Sequence, residues 1–442
     1  MSRSFNASNR DARRERSDSE YDSSSETSSS EVSRASLAHK THYGRQDSLQ
    51  SSSRSSSSSS SGTGDDEIIH FDWREGMPLG KEGRYEIRRK LGDGTFGRVV
   101  ECRDRSLNCK VAVKIIRDIK RYVDNAKVEA RILERVNEIR RLSRDHAGGR
   151  GIVRLFDIFL HEQRIFCMSF ERLGKTLFEV IQMNNYRGFH MSDLREIACE
   201  LLETLAFIHD RCGLTHTDIK MENVMLVGGK FVRCAAPSRF SVSSSSSAGQ
   251  EYRRPLLVSR LSKGRHRSIR LIDFGNAVFK EQHHSTVINT RQYRSPEVVL
   301  EQGWDQKSDV WSTGCVIGEM WTGELLFPAH ANLEHLAMIE RVTETRFDME
   351  YMAYSPREVR EQYSRRDGTL RWPEGCESRS SFSVVNERIG ISELFSDESS
   401  CGAAQLGDLL RKLLRIDPRL RYSAEKALDS PFFDAPPRRA SF

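Results

Sequence analysis

The chain has 442 residues, and 69 Lys and Arg against 63 Asp and Glu give it a formal net charge of +6 and an isoelectric point near 8.8. That length holds one large two-lobed domain or two to three ordinary ones, and no run of about eighteen apolar residues exists to form a membrane-spanning helix. The start, MSRSFNASNR, leads into no apolar stretch, against a secretory signal; nine Cys without a CxxC pair read as reduced thiols of a cytosolic or nuclear protein, neither a disulfide scaffold nor a zinc module.

Residues 1–64 form a Ser-rich tail. Residues 1–61 hold 24 Ser, with nine Lys or Arg against eight Asp or Glu. Such a segment buries too little apolar area to offset its ordering entropy, so disorder is expected. From Asp65 the composition changes, and EIIHFDWREGMPL makes 65–84 an extension of the folded part. YEIRRKL from Tyr85, then GRVVEC and KVAVKII, alternate as short strands of an antiparallel sheet. Val123–Leu142 has apolar residues at helical spacing and no Gly or Pro, which predicts a long amphipathic helix. Helical patterns then dominate, at Leu194–His209, Val310–Met320, Leu333–Val342 and Gly407–Leu414.

A second Ser-rich stretch interrupts them. Residues 228–270 hold ten Lys or Arg and one Glu, a net of +9, which reads either as a solvated loop between two strands or as a docking or nuclear-import patch around KGRHR. The tail contributes +1, leaving −4 for everything else, so the basic balance belongs to one insertion. A nucleic-acid partner, which a basic excess alone would suggest, is disfavoured because no aromatic interleaving or recognition motif accompanies it.

Chemistry gathers in a few motifs. Gly92-Asp93-Gly94-Thr95-Phe96-Gly97 lies between strands, where glycines let backbone N–H groups approach phosphate oxygens. It opens no helix, which argues against a dinucleotide fold. Val111-Ala112-Val113-Lys114 puts a cation on the next strand, and Glu129 on the amphipathic helix is its candidate ion-pair partner. In His216-Thr217-Asp218-Ile219-Lys220-Met221-Glu222-Asn223, Asp218 can accept a hydroxyl proton, Lys220 can neutralise a transferring phosphoryl group and Asn223 can hold a metal ion. Asp273-Phe274-Gly275 adds a second carboxylate for Mg²⁺.

With Ser295-Pro296-Glu297 following, this order of motifs resembles the eukaryotic protein kinase family over roughly Tyr85–Phe433. Glu334–Arg341, EHLAMIER, is similar to the signature of the LAMMER (CLK-type) kinases and departs from EHLAMMER only at Ile339; HTD in place of HRD, and His283–Val298, are similar to the same group. The resemblance implies an α+β, bilobal kinase fold. Its domain, 85–435, would comprise an N-lobe at 85–169 with a sheet and one helix, a hinge at 170–174, and a helical C-lobe at 175–435 carrying the insertion 228–267.

ATP and Mg²⁺ are the implied cofactors. Gly92, Gly94, Phe96 and Gly97 would cover the phosphates, and Leu91, Val99 and Ala112 the adenine, with Met225 and Ile272 beneath it. Phe170 falls at the gatekeeper position, and the Glu171 carbonyl and Leu173 N–H would meet the adenine edge. Lys114, held by Glu129, would orient the α- and β-phosphates, while Asn223 and Asp273 hold Mg²⁺. Asp218 would orient and deprotonate the acceptor hydroxyl, Lys220 would stabilise the γ-phosphoryl, and Thr290 would contact both. Glu297 with Arg421, and Asp309, would be structural. Two residues depart from the family pattern: Thr217 replaces an Arg that grips an activation-loop phosphate, so basal activity without an upstream kinase is expected, and Met221 replaces a Pro. Ser285, Thr286, Thr290 and Tyr293 are candidate autophosphorylation sites.

The resemblance further implies phosphorylation of Ser/Thr, with Tyr autophosphorylation, on basic Ser/Arg-rich nuclear splicing factors by a monomeric kinase domain in the nucleus. The alternatives are a related nuclear kinase of chromosome-segregation or kinetochore proteins, and an ATP-binding scaffold without turnover.

Overall fold

Strand alternation between buried and half-exposed residues builds the upper lobe around its sheet. The structure, a computed structural model, describes residues 71–143, 147–228, 231–234, 256–259, 268–282, 285–376, 378–396 and 401–434. The Ser-rich tail, with its expected disorder, lies outside the described residues, as does most of the basic insertion.

β1 (Pro78–Leu79), β2 (Tyr85–Gly94), β3 (Gly97–Asp104), β4 (Cys109–Ile116), β5 (Leu155–His161) and β6 (Ile165–Glu171) form one sheet in the order β1-β2-β3-β4-β6-β5. The β2–β3, β3–β4, β4–β6 and β5–β6 pairs are all antiparallel. Along β4, Val111, Val113 and Ile115 point into a core with Leu79, Tyr85, Ile87, Val100 and Cys102. Ala112 and Lys114 point to the other face, as the two-residue period of a strand requires. β6 runs through Phe170 and Glu171, so the strand takes in the first two residues of the expected hinge.

α1 (Lys120–Leu142) packs on that second face through Tyr122, Ala126 and Ala130 against Ile116, Phe166 and Met168. It begins three residues before the predicted start. Its N-cap, Ile119, has no side-chain capping bond, so no polar signal marked the boundary.

The lower lobe is helical, with α2 (Leu177–Met183), α3 (Met191–Ala206), α4 (Lys307–Thr322), α5 (Asn332–Thr343), α6 (Arg379–Asn386) and α7 (Cys401–Leu413) joined by loops and further short helices. Every residue from Ser308 to Trp321 in α4 is buried, which places this helix at the centre of the lobe. Past Ala206 the chain widens into a single π-helical turn, Phe207–Arg211, so the pattern Leu194–His209 spans two kinds of helix. Among the described residues, no helix is long and apolar enough to cross a membrane.

Three short ladders complete the fold: β7 (Leu214–Thr215) with β12 (Val278–Phe279), β8 (Val224–Leu226) with β11 (Ile269–Leu271), and β9 (Phe231–Cys234) with β10 (Leu256–Ser259). The insertion therefore leaves β8 and returns at β11, as a connection between two strands should. It also carries the β9–β10 hairpin, which its Ser-rich composition did not announce.

Candidate active site

The first two ladders bring the chemistry together. β7 leads into residues 216–223 and these into β8, while β11 leads into 272–277 and these into β12; since β7 pairs β12 and β8 pairs β11, the two loops lie side by side. Asp218 and Asp273, 55 residues apart in sequence, are thus carried on adjacent loops. Cross-links fix the loops: the Ile272 amide donates to Asn223 O at 2.9 Å, and His216 Nε2 lies 3.0 Å from Ile272 O. Asp309, fully buried at the start of α4, accepts the amides of His216 and Thr217 at 2.7 and 2.9 Å.

Around Asp218 the polar groups form a closed set. Lys220 Nζ sits 2.9 Å from Asp218 Oδ2 and donates to Thr290 Oγ1 at 3.2 Å. Thr290 Oγ1 donates to Asp218 Oδ1 at 2.7 Å, and Asn223 Nδ2 donates to the Asp218 carbonyl at 2.9 Å and to Oδ2 at 3.2 Å. Burial by itself would raise the Asp218 carboxyl, but Lys220 and Thr290 outweigh it, so it lies below the usual carboxylate range and is ionised at neutral pH. Such a carboxylate, fixed and charged, can orient a hydroxyl and take its proton.

In the upper lobe Lys114 Nζ donates to Glu129 Oε2 at 2.7 Å. Burial disfavours the ammonium, yet Glu129 and Asp273 more than compensate and hold it above the ordinary lysine value. Lys114, Glu129, Asp273 and Phe96 line one small cleft with Asn276 and Tyr122. Asp273 takes a left-handed φ of 63°, with Phe274 fully buried against His216 at a ring separation of 4.9 Å. Its carboxylate accepts no hydrogen bond among the described residues. Asn223 commits its amide nitrogen to Asp218, leaving its oxygen available. One carboxylate and one amide oxygen are hard donors that fit Mg²⁺, which keeps further positions for water and phosphate.

Val99 pairs Lys114 in register, and Ala112 pairs Phe170, so these side chains share the face turned to the cleft. Leu91, Val99, Ala112, Met225 and Ile272 are all half-buried, beside strand neighbours that are wholly buried. Gly92 has open space where a side chain would point. Gly97 serves packing instead: a Cβ there would stand 2.2 Å from Ile115 O, so only glycine lets β3 and β4 approach.

Several contacts have no precursor in the motifs. Thr217, at φ 67°, donates its hydroxyl to Asn276 O at 2.8 Å, and its own carbonyl accepts the Asn289 amide at 3.1 Å and Nδ2 at 2.9 Å. Arg294 donates to Ile288 O and Asn289 O at 2.9 and 3.0 Å. Both ends of the segment from Asp273 to Glu297 are therefore tied down without a phosphate. Of the four hydroxyls considered for autophosphorylation, Ser285 and Thr286 are exposed, whereas Thr290 is engaged with Asp218 and Tyr293 is buried, donating to Glu319 Oε2 at 2.6 Å. Glu222 is half-buried beside Lys220, and its Oε2 is shielded from solvent without a hydrogen-bond partner among the described residues. Burial raises its carboxyl above the usual range. Glu222 stands inside the catalytic motif without a task there, and only its shielded, unpaired Oε2 singles it out.

The chain matches the protein kinase domain family over residues 85–433. It is 38% identical over 369 residues to the serine/threonine-protein kinase AFC2 of Arabidopsis thaliana, covering 84% of this chain and 81% of that protein. It is 35% identical over 357 residues to the dual specificity protein kinase CLK2 of Homo sapiens, covering 79% and 64%. A crystal structure of a kinase domain superposes with a TM-score of 0.71 at 35% identity, covering 83% of this chain and 100% of that one. The chain belongs to the protein kinase family and is an enzyme of that class. Within it, the chain is a dual-specificity kinase of the LAMMER (CLK-type) group. Kinases of this family use ATP and Mg²⁺ and act on protein substrates.

Proposed function

We propose that this kinase phosphorylates Ser and Thr in basic, Ser/Arg-rich protein segments, with nuclear splicing factors as its physiological substrates, acting as a monomer in the nucleus. The observation that carries the substrate class is Glu222. In this half-buried carboxylate one oxygen is shielded from solvent and unpaired among the described residues, which is costly unless a cation arrives, and an arginine of the substrate would supply one. The net charge of −4 outside the tail and the basic insertion favours the same kind of partner.

In this reading Asp218 orients the acceptor hydroxyl and receives its proton as the oxygen–phosphorus bond forms and the bond to the ADP oxygen breaks. Lys220, 2.9 Å from Asp218, neutralises the oxygens of the transferred group. Lys114, fixed by Glu129, orients the α- and β-phosphates, and Gly92 and Gly94 give backbone N–H groups room above them. Asn223 and Asp273 would hold Mg²⁺, which would supply charge withdrawal from the phosphate oxygens. Leu91, Val99, Ala112, Met225 and Ile272 would enclose the adenine, whose edge would meet the Glu171 carbonyl and Leu173 N–H.

The test is an ATP/Mg²⁺ assay read by mass spectrometry on a Ser/Arg-rich peptide and on the same peptide with Lys for Arg. Phosphate on the Arg peptide, at least tenfold faster than on the Lys peptide, and none with Asp218→Asn or Lys114→Met, is the expected outcome. Equal rates on the two peptides would remove the substrate proposal; turnover by Asp218→Asn would remove the assigned mechanism.

A further inference from the structure

The hinge is tethered from both lobes by side chains that belong to none of the catalytic motifs. From below, Arg270 on β11, three residues before Asp273, donates its Nε to Glu171 Oε1 at 2.9 Å. The same oxygen accepts the Arg154 amide at 2.9 Å, and the Glu171 amide returns a bond to Arg154 O at 3.1 Å. The Arg270 and Glu171 side chains are 8% and 15% exposed, so this is an interior contact. From above, Glu101 on β3, 5% exposed, accepts Arg172 Nε at 2.9 Å and is itself held by Arg89 at 3.0 Å and Lys110 at 3.3 Å. Two consecutive hinge residues are thus each held by an ion pair, Glu171 to Arg270 and Arg172 to Glu101. Glu171 is fixed to the strand that leads into the Asp273 loop as well as to the Arg154 backbone, and Arg172 to the strand that carries Val99.

The Glu171 carbonyl and Leu173 N–H bracket Arg172. Holding the side chains on either side of that peptide unit fixes where the acceptor and the donor point. Adenine offers an amino donor and a ring-nitrogen acceptor in matching order. Guanine offers a carbonyl acceptor and a ring N–H donor, so it would set acceptor against acceptor and donor against donor. A site built to bond one pattern rejects the other strongly, but only while it cannot shift to find another pairing. Rigidity is therefore the source of selectivity, and the two ion pairs supply it.

We propose that Arg270 and Glu101 are positioning residues that set base specificity, ATP over GTP, by holding the hinge peptide from opposite lobes; this rests on the adenine reading of the hinge given above. Arg270→Met and Glu101→Gln remove the two tethers. Arg172→Gln, at a side chain 25% exposed, cuts the upper tether with less risk to folding. Each variant is expected to raise the KM for ATP several-fold with kcat within about twofold, and to lower the ATP-to-GTP ratio of kcat/KM at least fivefold. Arg270→Lys, which keeps the charge, should restore most of the ratio. A lower melting temperature with an unchanged ratio in all three variants would make these contacts merely structural and overturn the proposal. Wild-type enzyme that used ATP and GTP equally would overturn the adenine reading as well, whereas discrimination that survives every variant overturns the tether alone.

Discussion

Replacing Thr217 tests whether the activation segment is held by neutral contacts instead of a phosphate. Thr217→Val keeps the β-branched shape and deletes the bond to Asn276 O, at 2.8 Å. One such bond is worth about 1 kcal/mol, roughly a fivefold shift between the ordered and open segment. Asn289→Ala goes further, because it removes the Nδ2 bond to Thr217 O at 2.9 Å and places alanine at a φ of 62°. Lost hydrogen bond and left-handed backbone together amount to about 2 kcal/mol, a shift of roughly thirtyfold. These shifts are ceilings on the fall in kcat. The assay is the initial rate on a Ser/Arg-rich peptide with bacterially produced, phosphatase-treated enzyme, its phosphorylation state read by mass spectrometry. Wild type should be active without phosphate, Thr217→Val weaker, and Asn289→Ala weakest. Dephosphorylated wild type that is inactive until a second kinase acts would refute the reasoning, as would full activity in Asn289→Ala.

Glu222→Gln should separate stability from function. Burial raises the Glu222 carboxyl above its ordinary value of 4.5, so the folded protein binds that proton more tightly than the unfolded chain. Its contribution to stability is therefore full below about pH 4.5 and is lost as pH rises through the folded value. The glutamine variant escapes that loss and should be the more stable of the two at pH 8, read by chemical denaturation. It should also raise the KM for an Arg-containing peptide about tenfold with kcat nearly unchanged, the loss expected for a charge-assisted bond; no change in KM would mean that Glu222 does not meet the substrate. Arg421→Met strips the partner from Glu297 in a bidentate pair at 2.7 and 2.8 Å whose side chains are 0% and 2% exposed. An uncompensated buried carboxylate costs about 3–5 kcal/mol, so a melting temperature within a degree or two of wild type would contradict the burial.

What could be read from the sequence was whatever local spacing dictates. The strands around Lys114, the helix bearing Glu129 and the order of the catalytic motifs all depend on residues a few positions apart, where period and turn chemistry decide. The remainder depends on distant residues meeting. Arg270 counted only as one charge of a basic insertion, because its partner Glu171 lies 99 positions away and only the fold turns the side chain inward. Glu222 becomes unusual through burial, which no spacing reports. The hairpin Phe231–Cys234 with Leu256–Ser259 eluded the reading because its two short apolar runs stand far apart in a Ser-rich background. Thr217 was recognised as a departure by what it lacks, but the bond it makes to Asn276 required the left-handed backbone that aims its hydroxyl.

The same division explains why the EHLAMIER stretch identifies the group without taking part in its chemistry. Leu336, Ala337, Met338 and Ile339 are buried in the lower lobe, so position 339 asks for apolar volume and accepts Ile in place of Met. The charged residues are spent on structure. Glu334 accepts the hydroxyl of Ser381 on α6 and the His330 amide, Glu340 accepts the Phe347 amide at 2.8 Å, and Arg341 donates to Arg388 O at 2.8 Å. His335 is fully buried with neither ring nitrogen bonded, and burial pushes it down to about 3, so at neutral pH it is an uncharged ring packed 5.6 Å from Phe327. The charged side chains of the signature thus tie segments within residues 330–390 to one another. A motif spent in this way carries no preference for a substrate. Selectivity then falls to side chains that the fold leaves unsatisfied, and among the described residues beside the catalytic loop Glu222, with its shielded and unpaired Oε2, is in that condition.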